Sequence, residues 1–533
     1  MTDTEAQTVA QAARARASVG MEIAAVAELD PQRVAIVSEH GDHSFRSLNE
    51  RANQIAHLLR DRGYQQGDAI AILCSNRLEF AEVRFAAHRI GARLTTVNWH
   101  LAPEEAAYII DDCDAVALFA DVRCSEAGAE GVRLAGDKLK VALAIGGDIE
   151  GCTDYESELA AYPTTDIEDP SLGSIMQYTS GTTGRPKGVL RKQPDPELAA
   201  AMQEMLTLVF QFDPESGTDL SLVCGPLYHS GPFNLGMTTP VTTGIGAVVM
   251  DKWEPEKCLK LIEKHRVTHT FMVPTMFMRL LALPEEVRTA YDVSSIKFII
   301  HGAAPISVET KQATMDWFGP VLWEIFAGTE APGTIVSPQD WLARPGTVGN
   351  PAREQMKICD ENGEEVPDGT EGEIYWINPS DSSFEYYKSP DKTAEGRKGD
   401  FFTVGDIGYR DEEGWLFITG RNAECIISGG VNLYPQEIDD VLLQHPKVAD
   451  VACVGVPHDD LGEEIKAVVQ LVEGQQASDG LAAELIEFVQ PQLAKQKWPR
   501  SVDFIDLIPR SEAGKVYRRG LRDTYWQDRD RKI

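Results

Sequence analysis

Two hydrophobic rhythms alternate along the chain. In SFRSLNERANQIAHLLRDRGY, Ser44–Tyr64, the apolar residues Ile55, Leu58 and Leu59 share one face of a 3.6-residue period, which predicts a helix. Ser47 and Glu50 stand in the S-x-x-E spacing of a capping box. DAIAILCSN, Asp68–Asn76, is then a short continuous apolar run and reads as a buried strand. The pattern repeats with a helix around Glu79–Ile90, a strand over Ala92–Trp99, a helix from Pro103 and a strand over Asp114–Asp121. It resumes with a strand at Gly246–Met250, a helix at Glu254–Val267, a strand at Thr268–Pro274, and Ser295–Pro305, a strand running into a glycine turn. Such alternation predicts an α/β fold of parallel sheets with helices packed on both faces.

The rhythm changes between Gly346 and Tyr409. GEEVPDGTEGEIYWIN, Gly363–Asn378, alternates short strands with Gly and Pro turns, which predicts a small antiparallel sheet or barrel. Farther on, a helix over Glu437–Pro446, strands over Val448–Pro457 and Ile465–Val472, a helix over Leu481–Ala494 and a strand over Ser501–Pro509 form another unit. About 110 residues with a mixed core of their own predict a separate α+β C-terminal domain. The expected boundaries are 1–420 for the N-terminal region, 421–425 for a hinge and 426–533 for the C-terminal domain.

Composition narrows the function. The formal charge of −33 disfavours nucleic acid and anionic lipid as partners, since both call for a broad basic surface. Against that background two basic islands stand out: Arg185, Lys187, Arg191 and Lys192, and Arg510, Lys515, Arg518, Arg519 and Arg522. Each lies beside glycine, as a polyanion site would. Nine cysteines show no C-x-x-C spacing, so neither a zinc site nor a redox dithiol is expected, and a reduced, cytoplasmic setting fits them. The N-terminal MTDTEAQTVAQAARARASVG lacks the apolar core of a signal peptide, and no apolar run reaches the roughly 18 residues of a membrane helix.

The chemistry should lie in loops at the carboxyl ends of the strands. In TSGTTGRPKG, Thr179–Gly188, glycines can turn backbone N–H groups toward an anion while hydroxyls and Lys187 add donors and charge. It is not the usual phosphate loop, because Gly188 follows the lysine where Ser or Thr should stand. HGAAP (His301–Pro305), FAGTE (Phe326–Glu330), TVGDIGY (Thr403–Tyr409), GRNAECIISGGVNLYP (Gly420–Pro435) and PRSEAGKVYRR (Pro509–Arg519) follow. Taken singly, each has a plain reading as a turn, a helix-start carboxylate or a solvated charge.

Together and in this order, the motifs resemble those of the adenylate-forming superfamily of acyl-CoA synthetases, luciferases and peptide-synthetase adenylation domains. The resemblance runs from about Ser44 to the C-terminus. It implies that Thr179, Ser180, Gly181, Thr182, Thr183, Gly184 and Lys187 embrace the β- and γ-phosphates of ATP. Adenine would lie between Gly302, Ala303 and Ala304 on one side and Phe326, Ala327 and Gly328 on the other, with Phe326 offering a ring. Thr329 would touch phosphate, and Glu330 with Thr179 would hold Mg²⁺. Asp406 would accept the ribose hydroxyls, and Arg421 would meet ribose or phosphate. Gly429 and Gly430 would let the pantetheine of CoA pass, and Lys515 would reach both the attacking carboxylate and the α-phosphate.

In PLYHSGPF, Pro226–Phe233, the resemblance puts His229 at the acid pocket as a gate. Phe233, Met237, Met272 and Met276, with Ala303 leaving room beside them, are expected to line an apolar pocket. No acidic residue lies between Pro226 and Pro240, which argues against an amino-acid substrate. Ala423 stands where the family often carries Asp or Lys at its hinge, so no charged side chain can act there. The expected activity is AMP-forming ligation of a fatty or bulky apolar acid to CoA, by a mobile C-terminal domain. A ligase feeding a carrier protein, a luciferase-type oxygenase and a non-catalytic nucleotide-binding relative remain alternatives.

Overall fold

The computed structural model describes residues 7–179, 186–192, 195–330, 332–378, 384–421, 424–428, 431–458, 461–511 and 514–527. The chain divides into two compact units, each discontinuous in sequence: 1–272 with 278–301 and 379–395, and 273–277 with 302–378 and 396–533.

The first unit is α/β, as the periodicity predicts. One sheet runs Phe384–Tyr386, Lys187–Arg191, Ser174–Thr179, Arg93–Thr96, Ala69–Leu73, Ala115–Asp121, Val141–Ile145 and Thr153–Asp154. Its last six strands are parallel, whereas Lys187–Arg191 is antiparallel to both of its neighbours. Ala69–Leu73 is buried throughout, which explains why its sequence is an unbroken apolar run. A second sheet carries His269–Met272, Leu220–Val223, Gly246–Val249 and Val34–Ser38 in parallel. The core between includes Phe45, Leu48, Ile55, Phe80, Phe119 and Phe233.

The predicted helix spans Phe45–Asp61, and Ile55, Leu58 and Leu59 are buried. Its cap differs from the expected one. Ser44 is the N-cap, its hydroxyl accepting the Ser47 N–H at 3.2 Å, while the Ser47 hydroxyl accepts the Ser44 N–H at 3.0 Å. Ser47 is thus the third helical residue rather than the cap: the hydroxyl pair starts the helix one turn earlier than the S-x-x-E spacing implies.

In the second unit the Gly/Pro-punctuated region forms an antiparallel sheet of Arg397–Lys398, Phe401–Phe402, Gly372–Ile377, Asp406–Arg410 and Leu416–Arg421, with Met356–Cys359 also on Gly372–Ile377. The C-terminal residues build another sheet around the long pair Val448–His458 and Gly462–Leu471, extended by Ile426–Ser428, Val431–Leu433 and Ser501–Phe504. Helices Pro435–Leu442 and Asp479–Val489 pack there over Val451, Ile465 and Val469. No helix among the described residues is long and apolar enough to cross a membrane.

Candidate functional site

Four of the predicted site residues interact within the second unit. Asp406 opens one strand and Arg421 ends the next, and the antiparallel register sets them directly opposite. Arg421 Nε donates to Asp406 Oδ1 at 2.6 Å, and the carboxylate is buried. Burial works to lower the Arg421 pKa, but Asp406, with Glu424 and Glu330 behind it, outweighs burial and holds the guanidinium above its ordinary value. Lys515 feels the same field. Burial lowers its pKa, Arg421 lowers it further, and Glu330, Asp406 and Glu424 pull the other way. The lysine is crowded by protein yet remains exposed, so water screens part of that lowering.

The loop that presents Lys515 is a tight hairpin. The Ser511 hydroxyl accepts the Lys515 N–H at 3.1 Å, and the Ser511 N–H donates back to the Lys515 carbonyl at 2.8 Å. Gly514 turns at φ 78°, a left-handed value that favours glycine, and a Cβ there would sit 3.1 Å from Thr275 Oγ1. Gly514 therefore serves both the turn and the docking of the loop.

Phe326 ends strand Leu322–Phe326, half-buried, with its ring 6.1 Å from that of Trp376. Ala327 and Gly328 are exposed, and Thr329 and Glu330 half-buried, on the loop that follows. Gly333 was not anticipated: its backbone lies so near the Phe326 carbonyl that a Cβ would fall 1.9 Å from the oxygen. The PG dipeptide at Pro332 was its only signal. Gly302 is buried, Ala304 is half-buried, and Ala303 is exposed in the left-handed region at φ 68°, a conformation costing an L-residue roughly 1–2 kcal/mol. Beneath this strand Lys311 Nζ reaches Glu324 Oε2 at 2.7 Å and lies 4.7 Å over the Trp341 ring.

In the first unit Thr179 and Lys187 are directly paired across a β-hairpin. Lys187 Nζ lies 5.2 Å from the centre of the Tyr386 ring. Ser180, Gly181, Thr182, Thr183 and Gly184, which join them, lie outside the described residues, as do Ala423, Gly429 and Gly430. His229 is half-buried on the turn after strand Leu220–Val223, its ring 4.4 Å from that of Tyr228. That turn is shaped by Asn76, which the sequence reading passed over as the end of a strand. Its buried amide accepts the Leu227 N–H at 2.8 Å and donates to the carbonyls of Gly225 and Met250 at 2.9 and 3.0 Å.

Gly231–Thr238 is a π-helix, and it sets Phe233 and Met237 in the hydrophobic core, Phe233 edge-on to Phe80 at 5.9 Å. Both side chains are fully buried, while Gly231, Asn234 and Leu235 are the half-open positions of that helix. Met272 is fully buried in its strand, and Met276 is buried at the start of helix Pro274–Leu281 in the second unit. The second basic island, expected as open charge, is partly internal. Arg510 pairs with Asp450, and Arg518 is buried against Asp439 and Glu424. Lys515, Arg519 and Arg522 remain as its outer charges, the two arginines near Asp523.

Residues 23–385 match the family model described as AMP-binding enzyme, and residues 437–515 match that of the AMP-binding enzyme C-terminal domain. The chain is similar to fatty acid–[acyl-carrier-protein] ligase ScoC of Streptomyces coeruleorubidus, at 30% identity over 95% of this chain and 96% of the relative. It is similar to indoleacetate–CoA ligase of Aromatoleum aromaticum, at 31% identity over 93% and 96%. Among solved structures, ATP-bound MatB from Rhodopseudomonas palustris superposes with a TM-score of 0.80 at 28% identity, covering 96% of this chain and 99% of that one.

Proposed function

The chain belongs to the AMP-binding enzymes, and on that premise we propose that it is an AMP-forming carboxylic acid–CoA ligase. The observation that carries the reading is the electrostatic grouping of Glu330, Asp406, Arg421 and Lys515, drawn from four distant motifs. In the first step a carboxylate oxygen attacks the α-phosphorus of ATP and pyrophosphate leaves, giving an acyl-adenylate. Asp406 accepts the ribose hydroxyls, with Arg421 holding that carboxylate in place. Lys515 brings a positive charge to the oxygens shared by acid and α-phosphate, the position where charge builds up.

Glu330 is a hard oxygen ligand, and no cluster of three acidic, His or Cys side chains suited to a metal occurs among the described residues. One carboxylate, aided by the Thr179 hydroxyl and substrate phosphates, fits Mg²⁺. When bound, the ion neutralises charge on the departing pyrophosphate. In the second step the CoA sulfur attacks the acyl carbon and AMP leaves. We place a hinge at 421–425, about which the domain 426–533 turns to withdraw Lys515 and bring Gly429 and Gly430 to the pantetheine. The acid is apolar, fatty or bulky, and gated by His229. A cytoplasmic setting belongs to the same reading.

Transfer to a carrier-protein thiol is a second reading, favoured by the likeness to ScoC. Two assays test the set. Lys515→Ala should lower acid-dependent pyrophosphate exchange by about 10²–10³-fold while sparing thioester formation from supplied acyl-adenylate. Survival of both half-reactions would refute the lysine's role. AMP release across a panel of acids, with CoA or a carrier protein as acceptor, fixes substrate and acceptor, and a turnover dependent on a carrier protein alone would replace the CoA reading.

A further inference from the structure

Lys515 is carried by a hairpin in which the Ser511 N–H donates to the Lys515 carbonyl, the Gly514 N–H to the Ser511 carbonyl and the Tyr517 N–H to the Pro509 carbonyl, and the Ser511 hydroxyl accepts the Lys515 N–H. One side chain of the hairpin also ties its turn to the sheet. Arg510 Nη1 donates to the carbonyl oxygen of Gly514 at 2.7 Å, the peptide that leads into Lys515. The same guanidinium donates through Nε to Asp450 Oδ2 and through Nη2 to Asp450 Oδ1, both at 2.7 Å. Asp450 is buried on the long strand Val448–His458, and its Oδ1 also accepts the Val451 N–H at 2.8 Å. The fork is thus seated on the sheet, and its third arm grips the turn. A lysine could meet the carboxylate or the carbonyl but not present this planar, three-point arrangement.

We propose that Arg510, seated on Asp450, is a positioning residue for the adenylation step: it sets the aim of Lys515 by holding the Gly514 carbonyl. The assignment rests on the role proposed for Lys515. Misplacing a reacting group by about 1 Å can cost around 10²-fold in rate. The penalty falls on the half-reaction that uses the lysine, and substrate binding through Asp406 is spared.

Five variants, Arg510→Ala, Arg510→Lys, Asp450→Asn, Lys515→Ala and the double Arg510→Ala/Lys515→Ala, are assayed in both half-reactions, with thermal unfolding alongside. Arg510→Ala should lower kcat of pyrophosphate exchange by about tenfold or more with little change in KM for ATP, and leave thioester formation from supplied acyl-adenylate within about twofold. Arg510→Lys should recover only part of the loss, and Asp450→Asn should follow the same pattern more weakly. The double variant Arg510→Ala/Lys515→Ala should be no slower than Lys515→Ala alone, because the arginine acts through the lysine. An additive double variant, equal losses in both half-reactions, or full rescue by Arg510→Lys would overturn the proposal. A Lys515→Ala enzyme that still adenylates would overturn the lysine's role instead.

Discussion

Removing the Lys311 ammonium should destabilise the strand Leu322–Phe326, whereas removing both partners of its ion pair should not. Lys311 is wholly buried and Glu324 nearly so, with Nζ and Oε2 2.7 Å apart. Burial drags the lysine down from its ordinary pKa and pushes the carboxyl up, and their attraction works against both shifts. Desolvation is therefore the larger influence on each, and the pair holds its place chiefly because each charge needs the other. Breaking such a pair from one side costs about 3–5 kcal/mol, since a buried charge is left behind. Lys311→Met keeps the volume and a contact to the Trp341 ring, so the cost falls on Glu324. Amide hydrogen exchange in a peptide spanning Leu322–Phe326 should then quicken by about 10²–10⁴-fold. Lys311→Met/Glu324→Leu should return exchange to within about tenfold of the parent, because well-packed apolar replacement of a buried pair is often neutral or better. A double variant as labile as the single one would refute the reasoning, as would a single variant within tenfold of the parent.

Two further outcomes follow from the same unit. Asp406→Asn keeps the shape but removes the charge that Arg421 meets at 2.6 Å, and KM for ATP should rise about tenfold or more, read in the pyrophosphate-exchange assay. Asp440, crowded by protein on helix Pro435–Leu442 beside Asp439, has its pKa pushed up to about 7, with Gln436 donating to it at 2.7 Å. A raised carboxyl binds its proton more tightly in the folded chain, so stability falls as pH climbs from its ordinary 3.8 through about 7. Asp440→Asn should thus raise the melting temperature more at pH 8 than at pH 5, and an equal shift at both would reject the assignment.

The fold was legible where local pattern and burial agree. Ala69–Leu73, Ala115–Asp121 and Val448–His458 announce themselves as apolar runs because both faces are covered. The motif residues were legible as types in order. The resemblance gathers them about one nucleotide but does not give their contacts: Asp406 opposite Arg421 is a matter of strand register, and Lys515 near both depends on how the C-terminal residues fold. The burial of Phe233 and Met237 was not legible, because an apolar side chain suits a core and a pocket equally. Arg510 and Arg518 read as open charge because their acids, Asp450, Asp439 and Glu424, lie at least 60 positions away along the chain. Asn76 shows the same blindness for a neutral side chain, since its bonds span about 150 positions or more.

One strand of the first unit comes late in the chain. Phe384–Tyr386 pairs with Lys187–Arg191, and Tyr387 and Lys388 then bond to Asp114. On a ribosome adding about 5–20 residues each second, the roughly 190 residues between these strands take on the order of 10–40 s to make. Throughout that interval Lys187–Arg191 has a bare edge able to pair with another nascent chain. The newborn protein depends on a strand not yet translated, so its yield in a cell should respond to elongation rate and to chaperones that shield β-edges, even where the finished enzyme's stability does not change.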